Sequence, residues 1–180
     1  QRRYYAILYN VGLICVSSIL IALSAKIVIP LPWTPVPITG QTFSVLLLSA
    51  CLGSWRAVLA VLFYLLEGII GLPVFAKGAG PLYILGPTGG YLVGFIMCAF
   101  VVGKLAELGF TKNMFRTFIA MLVGNATIYT LGLPWLAFFV GYKNVLTLGF
   151  YPFIFGDLLK IIIATITLPI GWKFLHKVKN

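Results

Sequence analysis

Charge is what this sequence has least of. Charged residues are 9% of its 180 positions, where an ordinary soluble domain carries about 25%. Only three are acidic: Glu67, Glu107 and Asp157. The single histidine, His176, stands among lysines near the C-terminal end. A His-based metal cluster or a Ser-His-Asp triad therefore lacks material, and neither a metal site nor a catalytic residue is expected. A phosphate-cradling GxxxxGK[ST] segment is missing, so the chain does not itself hydrolyse ATP. The three cysteines, Cys15, Cys51 and Cys98, each lie inside an apolar run without CxxC spacing. They are expected to be small buried apolar side chains, not a disulfide framework.

What fills the space is apolar. The hydrophobic fraction is 61% and the mean hydropathy is +1.08. Too little charge remains to coat a water-facing surface, so the apolar excess must face lipid. The expected class is an all-α integral membrane protein, one domain over residues 1–180, with about six spans of roughly 20 residues each. The net charge of +10 does not point to nucleic acid. The basic residues stand singly at the ends of apolar runs and form no patch interleaved with aromatics. They act instead as topology determinants against an anionic membrane face. Arg2-Arg3 before a long apolar stretch mimics a signal peptide, but the run continues to Ile29 and further spans follow, so a retained first helix is expected.

Six helices are predicted. The first covers Tyr5 to Ile29 and ends at Pro30-Leu31-Pro32-Trp33-Thr34-Pro35-Val36-Pro37, where four rings delete donors and fix φ. That connector is expected to be extended and polyproline-like. The second helix runs from Ile38 or Thr39 to Leu52, and the third from Trp55 to Ile70. A long loop rich in Gly and Pro follows, Gly71 to Gly86. The fourth helix opens at Pro87-Thr88-Gly89-Gly90 and closes near Leu108. The fifth covers Asn113 to Leu131, after which Gly132-Leu133-Pro134 kinks or ends it, leaving Trp135 to Gly141 open. The sixth runs from Phe150 to Leu175.

Counting Lys and Arg gives a direction. Arg2, Arg3, Arg56, Lys104, Lys112, Arg116, Lys173, Lys177 and Lys179 fall on one side; Lys26, Lys77 and Lys143 fall on the other; Lys160 lies within the sixth helix. The positive-inside rule then places both termini in the cytoplasm, with long outer loops between helices 1 and 2 and between helices 3 and 4.

Ionisable groups inside a bilayer are costly, so each is a candidate functional group. Asp157 and Lys160 stand at i, i+3 on one helix face, with Asp157 about 10 Å into the predicted sixth helix. They are either a structural ion pair or a ligand site. A ligand site is favoured because other polar features share their outer depth: Gln41, Glu67, Lys26 and Lys77. Glu67 and Lys26 are expected to pair with each other, and Gln41 could equally satisfy backbone at its helix start. The second, fourth and sixth helices begin on the outer side, where their N-termini favour an anionic group. Thr88-Gly89-Gly90 allows either close approach to a ligand or tight helix packing. Tyr83, Tyr91, Trp33, Phe43, Trp135 and Tyr151 either wall an apolar pocket or anchor at the interface. Ser18 and Ala22 give a small-residue face on the first helix, for packing inside the chain or against a partner.

Four ordered blocks complete the picture: Ile29-Pro30-Leu31-Pro32 through Pro35-Val36-Pro37-Ile38-Thr39-Gly40-Gln41-Thr42, then Gly71-Leu72-Pro73-Val74-Phe75-Ala76, then Leu85-Gly86-Pro87-Thr88-Gly89-Gly90-Tyr91, and Gly156-Asp157-Leu158-Leu159-Lys160. With these, nearly the whole chain resembles the biotin-specific S-component (BioY) family of energy-coupling factor vitamin transporters. The resemblance implies a six-helix, outward-opening pocket for biotin in a prokaryotic cell membrane. It implies as partners a transmembrane coupling subunit and two ATPase subunits. Biotin is the transported ligand, and no cofactor is implied. By motif, Asp157 and Lys160 become ligand residues, with Lys77, Gly80 and Tyr83 from the long loop, and Ser18 and Ala22 stand at the coupling-subunit interface.

Biotin offers two ureido N–H donors, a carbonyl acceptor, an apolar thiolane and chain, and a carboxylate. An Asp accepts from a ureido N–H and a Lys donates to a carbonyl or carboxylate; bonds of this charge-assisted kind are the stronger ones. The expected function is capture of biotin from outside and its passage inward, without covalent chemistry. The alternatives are an S-component for another small carboxylate vitamin, a membrane-embedded enzyme, or a structural helix-packing subunit.

Overall fold

The computed structural model describes residues 2–179, and the side chains of residues 3–174. Lys177, Lys179 and His176 therefore lie outside the described side chains. Where lipid excludes water, backbone groups must be satisfied within the chain, and helices do this locally. The long helices are α1 (Arg2–Ala25), α2 (Gln41–Leu52), α3 (Ser54–Ile69), α5 (Gly89–Glu107), α6 (Met114–Val140) and α8 (Ile154–Lys179). Two short ones, α4 (Pro81–Leu85) and α7 (Val145–Gly149), interrupt the connections.

Among the described residues, four segments are long and apolar enough to cross a membrane: Arg3–Ala25, Gly89–Glu107, Met114–Val140 and the stretch Val145–Phe174. At 12 and 16 residues, α2 and α3 are about 18 and 24 Å long at ~1.5 Å per residue. Both fall short of a hydrocarbon core of about 30 Å. Helix α5 is the central one, with 56% of its apolar window buried, against 17% for α1. It packs chiefly on α6 and also on α2 and α3, while α1 lies outside on α3. The many exposed Leu, Ile and Phe side chains of α1 and α8 are the lipid-facing surface that the composition demanded.

Several boundaries differ from those expected. α1 stops at Ala25, four residues early, because Val28–Ile29 (β1) pairs antiparallel with Ile38–Thr39 (β2). A residue before proline disfavours helix, which biases Ile29 toward this extended pairing. The proline segment is thus the loop of a small hairpin, not a free polyproline connector. Thr34 ties that loop to α7, its Oγ1 donating to the Leu148 carbonyl at 2.7 Å. Helix α6 continues past Pro134 to Val140, so Gly132-Leu133-Pro134 does not end it. Its flanks stay apolar, and in lipid a helical backbone remains the cheapest state around one missing donor. Asn113 starts that helix, its side chain accepting from the backbone N–H of Phe115 and Arg116. The predicted sixth helix divides into α7, a 3-10 turn at Tyr151–Phe153, and α8. Asp157 consequently sits in the first turn of α8, not about 10 Å inside it. Cys98 is buried and Cys15 half-buried, but Cys51 is exposed, against expectation.

Candidate functional site

The start of α8 brings an acidic side chain under the β-hairpin and against α6. Asp157 is buried, and three donors converge on it. Lys160 Nζ lies 3.2 Å from one carboxylate oxygen; Asn125 Nδ2, at 3.1 Å, and the Tyr129 hydroxyl share the other. Asn125 and Tyr129 stand one turn apart on α6, so both reach the same oxygen. Lys160 also donates to Thr42 Oγ1 on α2 at 2.7 Å. The pair therefore joins three helices, and with one ammonium N–H left over it can still address a ligand.

These groups form part of the wall of a hollow whose empty space, about 560 Å³, includes its opening to solvent. Val36, Pro37 and Thr39 of the hairpin roof it, with Ala76, Tyr83 and Thr88 from the segment joining α3 to α5. Tyr91, Leu92 and Phe95 of α5, Ile128 of α6 and Phe153 ahead of α8 supply apolar surface. Gln41 closes another side. It is buried, its Nε2 donates to the Tyr64 hydroxyl at 2.5 Å, and its Oε1 accepts from Thr39 Oγ1 at 3.1 Å. The Tyr91 hydroxyl donates to the Gly149 carbonyl at 2.8 Å, which fixes its ring against the wall. Phe75 stacks on Tyr83 with ring centroids 4.9 Å apart and supports it from behind. Burial raises the pKa of Tyr83, so its hydroxyl stays protonated. The chemistry on offer is one carboxylate, one ammonium and several hydroxyl and amide groups in an apolar hollow.

Of the residues singled out in the sequence, Asp157, Lys160, Tyr83, Gln41, Thr88 and Tyr91 come together around this cavity. Lys77 and Gly80 are outside its lining. Lys77 is exposed, one residue beyond Ala76. Gly80 has φ +88°, a conformation that favours glycine, and its N–H donates to the Gly68 carbonyl at 2.7 Å. That bond aims α4, and with it Tyr83, at the cavity. Glu67 and Lys26 do not pair as expected: Glu67 accepts from Ser18 Oγ at 2.5 Å, and Lys26 donates to the Phe75 carbonyl at 2.7 Å. α1 meets α3 through the first bond and the α3–α5 segment through the second. Ser18 is accordingly buried within the chain, and Ala22 packs on the core beside it. Among the aromatic candidates, Trp33, Phe43, Trp135 and Tyr151 do not line the cavity. Phe43 borders a separate apolar crevice between α2 and α8, and Trp135 Nε1 bonds the Gly86 carbonyl at 2.8 Å. Gly90 serves helix packing, since a Cβ there would come 2.6 Å from the Leu131 carbonyl oxygen.

The sequence reading missed Asn125, Tyr129 and Thr42. Burial in a bilayer is costly for an uncharged amide as well as for a charge. Asn125, an amide in the middle of a predicted span, carried the same signal.

A BioY family model matches residues 4–177. The chain belongs to the BioY family. Among relatives of this BioY chain, the "Biotin transporter BioY" of Thermotoga maritima is 45% identical over 150 residues, covering 82% of this chain and 86% of the relative. The "Biotin transporter BioY2" of Lactococcus lactis is 38% identical over 165 residues, covering 88% and 87%. The BioY fold here also superposes on the crystal structure of the S-component for biotin from an ECF-type ABC transporter. The TM-score is 0.78 at 25% identity, over 94% of this chain and 93% of that one. The relatives carry transporter names, not enzyme names.

Proposed function

We infer that this protein is the substrate-binding membrane subunit that captures biotin from outside a prokaryotic cell and hands it inward with an energy-coupling ATPase module. The observation that carries the reading is the Asp157–Lys160 pair. It stands in the wall of a cavity otherwise made of aromatic and aliphatic surface, in a chain whose relatives carry the name biotin transporter. An ionised pair at the edge of an apolar hollow suits a ligand with a polar, uncharged ring and an apolar body. Asp157 accepts from a ureido N–H while Lys160, with a donor to spare, addresses the ureido carbonyl. The apolar rings of Tyr91, Phe95 and Phe153 take the thiolane and chain. The carboxylate then points toward the roof, where the exposed Lys77 contributes positive potential and Gly80 positions α4.

Six crossings follow if α2 and α3 span with the help of their polar flanks, in a single domain. The positive-inside count, supported by Arg3, Arg56, Lys104, Lys112, Arg116 and Lys173, puts both termini in the cytoplasm of a plasma-membrane protein. The cavity then opens outward beneath the hairpin and α4, and ligand shifts the population toward a state with that roof closed. A transmembrane coupling subunit and two ATPase subunits supply the driving force. They meet the chain from the cytoplasmic side and along α1, where Ala22 remains only half-buried.

Calorimetric titration with biotin and with other small carboxylate vitamins tests the reading. Saturable binding of biotin alone supports it. Preference for another vitamin, or no saturable ligand, overturns it.

A further inference from the structure

Asn125 lines the cavity, is 7% exposed, and is only half satisfied. Its Nδ2 donates to Asp157 Oδ2 at 3.1 Å, which fixes the sense of the amide, because the reverse would set a carbonyl against a carboxylate. Its Oδ1 is buried and meets no donor among the described residues. A buried acceptor left in this way is uncommon in folded proteins and calls for a partner. The neighbouring carboxylate is unevenly loaded. Among the described residues, Asp157 Oδ2 receives both Asn125 and Tyr129, whereas Oδ1 receives Lys160 alone. Two acceptors with spare capacity therefore belong to residues joined by one hydrogen bond, one charged and one neutral.

We propose that Asn125 Oδ1 accepts the second ring N–H of the ligand, so that the cavity counts ring N–H donors and rejects forms substituted at that nitrogen. This rests on the biotin reading above. Asp157 takes one ureido N–H through Oδ1, Lys160 takes the carbonyl, and Asn125 takes the other N–H. A neutral acceptor suits the second place, since another carboxylate beside Asp157 would force the two to share a proton. A ligand substituted at that nitrogen both loses the bond and leaves the amide oxygen orphaned. Sites built around a hydrogen bond discriminate most strongly in this situation.

The test is a binding cycle by calorimetry. Biotin and two analogues, each methylated at one ring nitrogen, are titrated into the wild-type protein and Asn125→Ala. For biotin, Asn125→Ala should weaken binding about tenfold or more. For the analogue blocked at the nitrogen facing Asn125, wild-type binding should already be weaker by about that factor, and the substitution should change it little. A substitution that weakens all three ligands by the same factor overturns the proposal, because Asn125 would then act only by holding Asp157. Should Asn125→Ala fail to fold, the wild-type protein suffices: equal affinity for biotin and both analogues also overturns it. Wild-type protein that binds no biotin overturns the proposed function and this inference together. Biotin binding without the coupling overturns this inference alone.

Discussion

Replacing Asp157 with Asn removes one charge and little volume, and the structure gives its consequences on both sides of the carboxylate. One oxygen faces Lys160 at 3.2 Å, and the other faces the Asn125 amide at 3.1 Å together with the Tyr129 hydroxyl. Whichever way the new amide turns, its NH2 meets a donor group. Charge-assisted bonds contribute about 1.5–3 kcal/mol each, so loss of the Asp157 bond to ligand should weaken biotin binding about 10- to 150-fold. Stability should fall as well. Breaking a fully buried pair costs about 3–5 kcal/mol, but the Lys160 and Asp157 side chains keep 16% and 8% exposure, which places the loss below that range. The assay pairs calorimetric titration with a thermal melt of the detergent-purified protein. The double variant Asp157→Asn, Lys160→Met removes both charges; it should regain most of the melting temperature and none of the affinity. Wild-type affinity in Asp157→Asn would refute the ligand assignment. Wild-type affinity in the double variant would make the pair purely structural.

Lys77→Ala should change biotin affinity by no more than a few-fold, and the difference should vanish in high salt, since Lys77 is exposed and outside the cavity lining; titration at two ionic strengths checks this. Gly90→Ala should destabilise by about 1–3 kcal/mol, because its Cβ would press on the Leu131 carbonyl and Trp135. Gly171→Ala, whose Cβ would meet nothing within 4 Å among the described residues, should be neutral or slightly stabilising in the same melts. Single cysteines introduced at Lys77 and Lys112 should label from opposite sides of intact cells, Lys77→Cys from outside; labelling of both from one side would contradict the charge-based orientation.

The long helices were legible because an apolar run in lipid has few alternatives to a helix. α1, α3, α5 and α6 start within about four residues of where periodicity and proline placed them. The sequence was least informative where tertiary contacts decide the backbone. The pairing of Val28–Ile29 with Ile38–Thr39 draws the chain out of α1, and α4 and α7 are too short to show a period. Pro134 leaves a kinked and an ended helix both open from sequence, since a missing donor alone does not choose between them; in lipid the backbone stays helical through it to Val140. In the candidate site, the pairing of Asp157 with Lys160 is legible from two ionisable residues at i, i+3 in an apolar run. Their partners were not: Thr42 lies 118 positions from Lys160, and Asn125 lies 32 from Asp157. The expected Glu67–Lys26 pair failed for the same reason, as both side chains found nearer partners in Ser18 and the Phe75 carbonyl.

A cavity beside Asp157 and Lys160 that holds biotin should carry it through purification. Mass spectrometry of the small molecule released by denaturing protein purified from biotin-supplemented cells tests it most directly. Near-stoichiometric biotin from the wild-type protein, and little from Asp157→Asn, is the predicted result. A different molecule, or equal biotin from both proteins, would mean that this cavity is not a biotin site held by Asp157.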